Sequence, residues 1–390
     1  MAIRTQTYRL DQAARRLLLL AARGAWDDAQ RAKAAQLAAT VVDWDAFCAV
    51  AVRSLGVCLV SRQLQTVDGV PARIVADMRA ASRVLAVRSL QIEAAQLNVM
   101  TDVLVPLGVR HVFFKGASLA YRYHAVPSAR PSRDLDVLVE PDSALAVVRQ
   151  ACERGYAPAG PVKVGTSEPE LAAWVKRQTV QSMHAPNGTL IEIHQSLDHG
   201  DGLLDVGRML SRAEILDFHG RPLSVLRTSD LFVYICMHHT RHFWSHLHWY
   251  ADLDAMTGHP LFDPDEVREV AASLKLTSTV DACLQLNEFA RSADWPREMS
   301  LDGDPGTALL LRSIDCLEGG LQREYALRST KLSEDRAFTW QSTTGERARL
   351  FVRRLRKQFL RVVNGISRRA RAVFGAAETQ AFQGKDADEH

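Results

Sequence analysis

The hydrophobic period of the sequence changes at Val109, and that change limits the chain to folds in which helical regions adjoin a small sheet. From Leu10 to about Leu107 the chain is rich in Ala, Leu, Arg and Gln, and apolar residues recur at helical spacing, as in Ile74, Met78, Ala81 and Leu85 and again in Ile92, Ala95, Val99 and Val103. Pro71 suits the first position of a long helix that ends near Leu107-Gly108. Three or four helices are expected here, without a cluster of reactive side chains. Val109-Arg110-His111-Val112-Phe113-Phe114 is then a short strand, followed by Lys115-Gly116-Ala117-Ser118 and a helix from about Leu119 to His124. Asp134-Leu135-Asp136-Val137-Leu138-Val139 reads as a second strand, and Pro141-Asp142-Ser143 opens a helix ending at Gly155. Thr179–Ala185 and Thr189–His194 are strand-like runs joined by Pro186-Asn187-Gly188, a strong hairpin signal.

These elements make a small α/β domain over 108–230, preceded by a helical region (1–107) and followed by another (231–375), with a polar tail (376–390) expected to be disordered. A chain of 390 residues and 43.3 kDa accords with two or three domains. A net charge of +3 is too mild to favour nucleic acid as an obligate partner. The six cysteines form no CxxC pair and read as free thiols, mostly buried, which suits the cytoplasm. Leu17–Ala22 is too short for a signal peptide and Phe47–Val60 is interrupted by Arg53, so a soluble protein without a transmembrane segment is expected.

Alternate side chains of a strand share one face about 6.6 Å apart. Asp134 and Asp136 therefore project together, while Leu135 and Val137 project into the core. Two such carboxylates repel each other and are costly to desolvate, and a bound dication removes both problems. Glu192 repeats the pattern, sharing a face with His194 while Ile191 and Ile193 face the other way. If the hairpin pairs beside the Asp134 strand, three carboxylates converge, enough to hold two metals about 4 Å apart for in-line displacement at phosphorus. Upstream, Gly116-Ala117-Ser118 lies between a strand and a helix, where free backbone N–H groups attract phosphate. Lys115, Arg130 and Arg133 are candidate neutralisers of a triphosphate, and the Ser118 hydroxyl is a candidate donor to it.

Taken together, Lys115-Gly116-Ala117-Ser118, Arg133-Asp134-Leu135-Asp136-Val137-Leu138-Val139 and Ile191-Glu192-Ile193-His194 resemble the nucleotidyltransferase superfamily with the DNA polymerase beta type of fold. More narrowly they resemble a poorly characterised bacterial nucleotidyltransferase family, over residues 40 to 370. The resemblance implies an α+β core flanked by helical regions, in which Asp134 and Asp136 ligate Mg²⁺ or Mn²⁺. Glu192 completes the metal and catalytic site, and the Gly-Ser turn grips an NTP. It also implies transfer of a nucleoside monophosphate to a hydroxyl-bearing acceptor, with release of pyrophosphate. The superfamily usually has Gly-Gly or Gly-Ser at the turn, whereas Ala117 here separates Gly116 from Ser118. That keeps open a second reading, an inactive relative that binds nucleotide or a partner as a regulatory module.

Two further features remain. The run from Cys236 to Trp249 is dense in histidine, with His238, His242 and His246 on one face if it is helical throughout; positions eight apart lie about 12 Å along the axis, too far for all three to share one ion. It is expected to be a helix beside the catalytic domain, and a metal-dependent hydrolase centred on it is a third reading. Asp252 and Asp254 follow on the same expected helix. Finally, Glu346 to Phe374 reads as a basic amphipathic helix that packs on the domain or meets an anionic membrane surface or RNA.

Overall fold

The structure, a computed structural model, describes residues 6–160, 164–197, 203–296, 298–301 and 303–329, together with residue 352. Its centre is a mixed sheet of β1 (His111–Phe113), β2 (Asp134–Val139), β3 (Ala157–Pro158), β4 (Val180–His184), β5 (Leu190–His194), β6 (Glu214–Phe218) and β7 (Arg221–Val225), in the order β3-β4-β5-β2-β1-β7-β6. β1 runs antiparallel to β2 and parallel to β7, while β2 runs parallel to β5. A parallel pair requires a long crossover. Here the chain between β2 and β5 supplies it with the helices Ala144–Glu153 and Glu168–Arg177, the edge strand β3 and its neighbour β4.

Side-chain alternation divides the interior in two. Phe113, Leu135, Val137, Val139, Ile191 and Ile193 point to one side, into a core shared with Val103, Val147 and Trp174. Val112, Phe114 and Leu138 point to the other, into a larger core built mainly from helices before and after the sheet, including Leu17, Phe47, Phe232, Ile235 and Leu286. Asp134 and Asp136 have the parity of Leu138, so they emerge on the side that these outer helices cover. A cleft between sheet and helices is therefore lined by carboxylates because the strand alternates.

The region before the sheet holds more helices than expected. Gln12–Ala21, Asp28–Ala38, Trp44–Arg53, Val57–Leu64 and Ala72–Val99 are separate helices, and the last continues through a wider turn at Met100–Leu104 to Leu107. Asp11, Asp27 and Asp43 each accept a backbone N–H as N-cap, a contribution of about 1 kcal/mol apiece. Expectation and structure agree on β2 to the residue, and on the β4–β5 hairpin to within one residue at each end.

The histidine run is not one helix. Thr228–Arg241 ends at His242, Phe243 and Trp244 adopt left-handed backbone (φ 51° each), and a second helix begins at Leu247 and ends at Thr257. Trp244 is fully buried with its indole N–H on the Thr240 hydroxyl, and the Leu247 N–H donates to the Ser54 carbonyl. Tertiary anchoring thus overrides the helical spacing. A later helix, Pro305–Ser329, is kinked at Gly320 (φ 65°), where the Arg53 guanidinium binds the carbonyls of Leu317 and Glu318. All six cysteines are free. No helix among the described residues is long and apolar enough to cross a membrane. The arginine-rich segment from Glu346 to Phe374, apart from Val352, and the tail from Ala376 to His390 lie outside the described residues.

Candidate active site

The β2–β5 register sets Asp136 beside Glu192 on neighbouring parallel strands. One ligand atom each from Asp136, Glu192 and His194 lies within 4.8 Å of the others. His194 Nε2 is 2.9 Å from Asp136 Oδ1 and 3.5 Å from Glu192 Oε2, so the imidazole bridges the two carboxylates. Lys115 Nζ reaches the same Asp136 oxygen at 2.9 Å. The other oxygen, Asp136 Oδ2, is buried and has no hydrogen-bond partner. Sequence reasoning did not name His194 as a ligand, although strand alternation already put it on the Glu192 face.

Electrostatics separate the two aspartates. Burial alone would raise the Asp136 carboxyl, but the Lys115 ammonium and the His194 hydrogen bond hold it below the usual carboxylate range. Asp134 is pushed up to about 6, first by burial and then by the negative Asp136 beside it. Burial opposes the charged form of His194, yet its hydrogen bonds to Asp136 and Glu192 raise its pKa. Lys115 is likewise disfavoured by burial and held charged by Asp136.

The turn after β1 brings the start of the helix Gly116–Tyr123 to the same place. Gly116 has φ 64°, and a Cβ there would lie 3.1 Å from the Asp134 carbonyl oxygen, so the left-handed turn and close approach both call for glycine. Ser118 is buried and its hydroxyl donates to the Lys115 carbonyl at 2.9 Å, inside the turn. Arg130 is buried and committed to Asp252, with Nε 2.9 Å from Oδ1 and Nη2 2.7 Å from Oδ2, although it borders the cleft. Arg133 also borders the cleft; its guanidinium donates to the Arg53 carbonyl at 3.4 Å.

Lys115, Gly116, Arg130, Arg133, Asp134, Asp136 and Glu192 thus share one cleft of about 440 Å³, whereas Ser118 is not on its lining. That volume is in the range of small-molecule sites. The opposite wall carries the histidines of the broken helix, among them His238, His242 and His246, with Trp249. Glu324, from beyond the Gly320 kink, fixes this wall by accepting from Ser245 and pairing with His242 at 2.7 Å.

Residues 40–290 match the family described as uncharacterised nucleotidyltransferase, and the chain belongs to that family. The match stops short of 291–370, the later part of the span over which the sequence resembles such proteins. No curated protein matches the chain. The family supports a transferase, and nucleotidyl transfer as its chemistry. A divalent cation suits the residues present. Asp136 offers a buried oxygen with no partner, and Glu192 and His194 add an oxygen and a nitrogen within ligating distance of it.

Proposed function

We propose that the protein is a Mg²⁺- or Mn²⁺-dependent nucleotidyltransferase, active in the cytoplasm, that moves a nucleoside monophosphate from an NTP to a hydroxyl acceptor. The acceptor oxygen attacks the α-phosphorus, the bond from that phosphorus to the oxygen bridging to the β-phosphate breaks, and pyrophosphate leaves. The hydroxyl proton passes to Glu192, whose side chain is 28% exposed and so open to the cleft. Asp134, Asp136 and Glu192, with His194, would hold the metal, which supplies Lewis-acid polarisation of phosphoryl oxygens. Lys115, Arg133 and the N-terminus of the Gly116 helix would orient the triphosphate. Ser118 and Arg130 support this assembly from behind, through the turn and through Asp252. Residues 108–230 form the catalytic core on this reading.

The observation that carries the proposal is the unpartnered Asp136 oxygen within reach of two further ligands. Incubation with radiolabelled NTPs, Mg²⁺ and cell extract should label an acceptor, and Asp136→Ala should abolish the labelling while far-UV circular dichroism is unchanged. Label transfer by a folded Asp136→Ala variant would sink the proposal. The second reading, a nucleotide-binding module without turnover, is favoured by one observation: Lys115 and His194 already neutralise Asp136 from within the chain. It predicts NTP binding with no labelling by the wild type.

A further inference from the structure

The carboxylates and the glycine turn use only one side of the cleft. The facing wall is different in kind. His239 stacks on Trp249 with ring centres 4.2 Å apart and planes within 7°, and His246 lies 4.6 Å from the same indole, tilted by 41°. Burial holds the wall's imidazoles below their usual pKa, so they are uncharged near neutral pH. His239 is 1% exposed with neither ring nitrogen hydrogen-bonded, and His248 is 6% exposed with Nδ1 unpaired. Both border the cleft. Buried polar atoms left unpaired carry a desolvation cost that a ligand's hydrogen bonds recover.

Such a surface suits neither an anion nor a metal. Phosphate would prefer Lys115 and Arg133, a cation would prefer the carboxylates, and among the described residues only Asp136, Glu192 and His194 gather as a three-ligand group. What fits is an uncharged planar ring with donors and acceptors on its edge. Because this wall and the charged side line one cleft, a single ligand with an anionic end and a flat neutral end can span both.

We infer that the His239–Trp249–His246 wall is the nucleobase subsite of the NTP, with Trp249 and His246 as the stacking surface and His239 and His248 as hydrogen-bonding partners. This inference rests on the nucleotidyl-transfer reading above.

Titration calorimetry with two probes tests it: each of the four NTPs with Mg²⁺, and inorganic tripolyphosphate with Mg²⁺. Trp249→Ala should weaken the best-bound NTP about tenfold, within the range of base stacking on an aromatic side chain, and change tripolyphosphate affinity less than about twofold. Trp249→Phe should restore most of the loss. If Trp249→Ala fails to fold, His246→Ala carries the same test with a smaller loss. Equal weakening of both probes, or none, in a folded variant overturns the subsite and leaves nucleotidyl transfer standing. A wild-type protein that binds neither probe overturns both.

Discussion

Asp136 and Asp252 are both buried, and each meets a histidine and a cationic side chain, yet only one of them is complete. Asp252 Oδ1 takes His124 Nε2 at 3.0 Å and Arg130 Nε at 2.9 Å, and its Oδ2 takes Arg130 Nη2 at 2.7 Å. Asp136 has His194 and Lys115 crowded onto Oδ1 and nothing on Oδ2. A planar guanidinium satisfies both carboxylate oxygens at once, whereas an ammonium is a point charge that satisfies one. The arginine-paired aspartate can therefore serve as a closed structural tie between the turn before β2 and the helix Leu247–Thr257. The lysine-paired aspartate keeps a ligand position free.

The largest effects should separate these two sites by kind. Asp136→Asn is expected to lower label transfer at least about 10³-fold, since metal polarisation is worth several kcal/mol and each 1.36 kcal/mol is a factor of ten. Stability should fall as well, because the buried Lys115 ammonium loses the carboxylate that holds it charged, so transfer is compared in folded protein. Activity above a tenth of wild type would break the comparison. Arg130→Ala should show itself in stability first. It leaves Asp252 as a buried charge with only His124, at an expected cost of about 3–5 kcal/mol in urea unfolding. A loss below about 1 kcal/mol would mean that water or His124 suffices for Asp252, and the contrast with Asp136 would fail.

The difference between the two aspartates was only half legible in the sequence. Asp134-Leu135-Asp136-Val137 announces its own alternation, and the Asn187-Gly188 hairpin announces β4 and β5, so the faces that carry Asp136 and Glu192 are legible locally, whereas the parallel β2–β5 pairing that joins them enters the sequence reading only as a condition. His194 shares that alternation, but a lone histidine at a strand end has no local mark of a ligand. The Arg130–Asp252 pair spans 122 residues and has no local signature. The β6–β7 hairpin escaped because Pro222 interrupts a weak alternation and its turn relies on His219 at φ 54° beside Gly220. The break after His242 was invisible for the opposite reason: periodicity favoured one long helix, and only the burial of Trp244 against distant residues overrules it.

Acid titration sharpens the comparison through opposite signs. The Asp252 carboxyl, which burial would raise, is held below the usual range by Arg130 and His124. Its stabilising contribution is therefore present above the unfolded value of about 3.9 and is lost as pH falls through that value toward the depressed folded one. Asp134 behaves oppositely. Its folded pKa of about 6 exceeds the unfolded value, so the folded state takes up that proton first, and stability gains from this group as pH falls from about 6 to about 3.9. In metal-free buffer, urea midpoints from pH 7 to 3 should show Asp134→Asn removing the gain and Asp252→Asn removing the later loss. Parallel pH curves for wild type and both variants would mean that neither environment is as described.

The smallest effect concerns the turn that brings Lys115 to Asp136. Alanine at Gly116 must hold φ 64° and put its Cβ 3.1 Å from the Asp134 carbonyl. Left-handed backbone costs a non-glycine residue about 1–2 kcal/mol. The side chain therefore either strains the turn in place or pushes it away from β2. Strain in place would lower the urea midpoint by that amount and leave NTP affinity nearly intact. Displacement would carry Lys115 away from Asp136 and expose both groups, relieving part of the strain at the expense of affinity. The short β1 and the buried Phe114 just before Lys115 anchor the turn from one side, and Ala117, Leu119 and Ala120 anchor it from the other. Strain in place is therefore the expected outcome for Gly116→Ala, with a loss of stability larger than the loss of binding. Tight folding with unchanged stability would show that the turn does not need glycine, and that the Lys115–Asp136 contact is held by the pair itself.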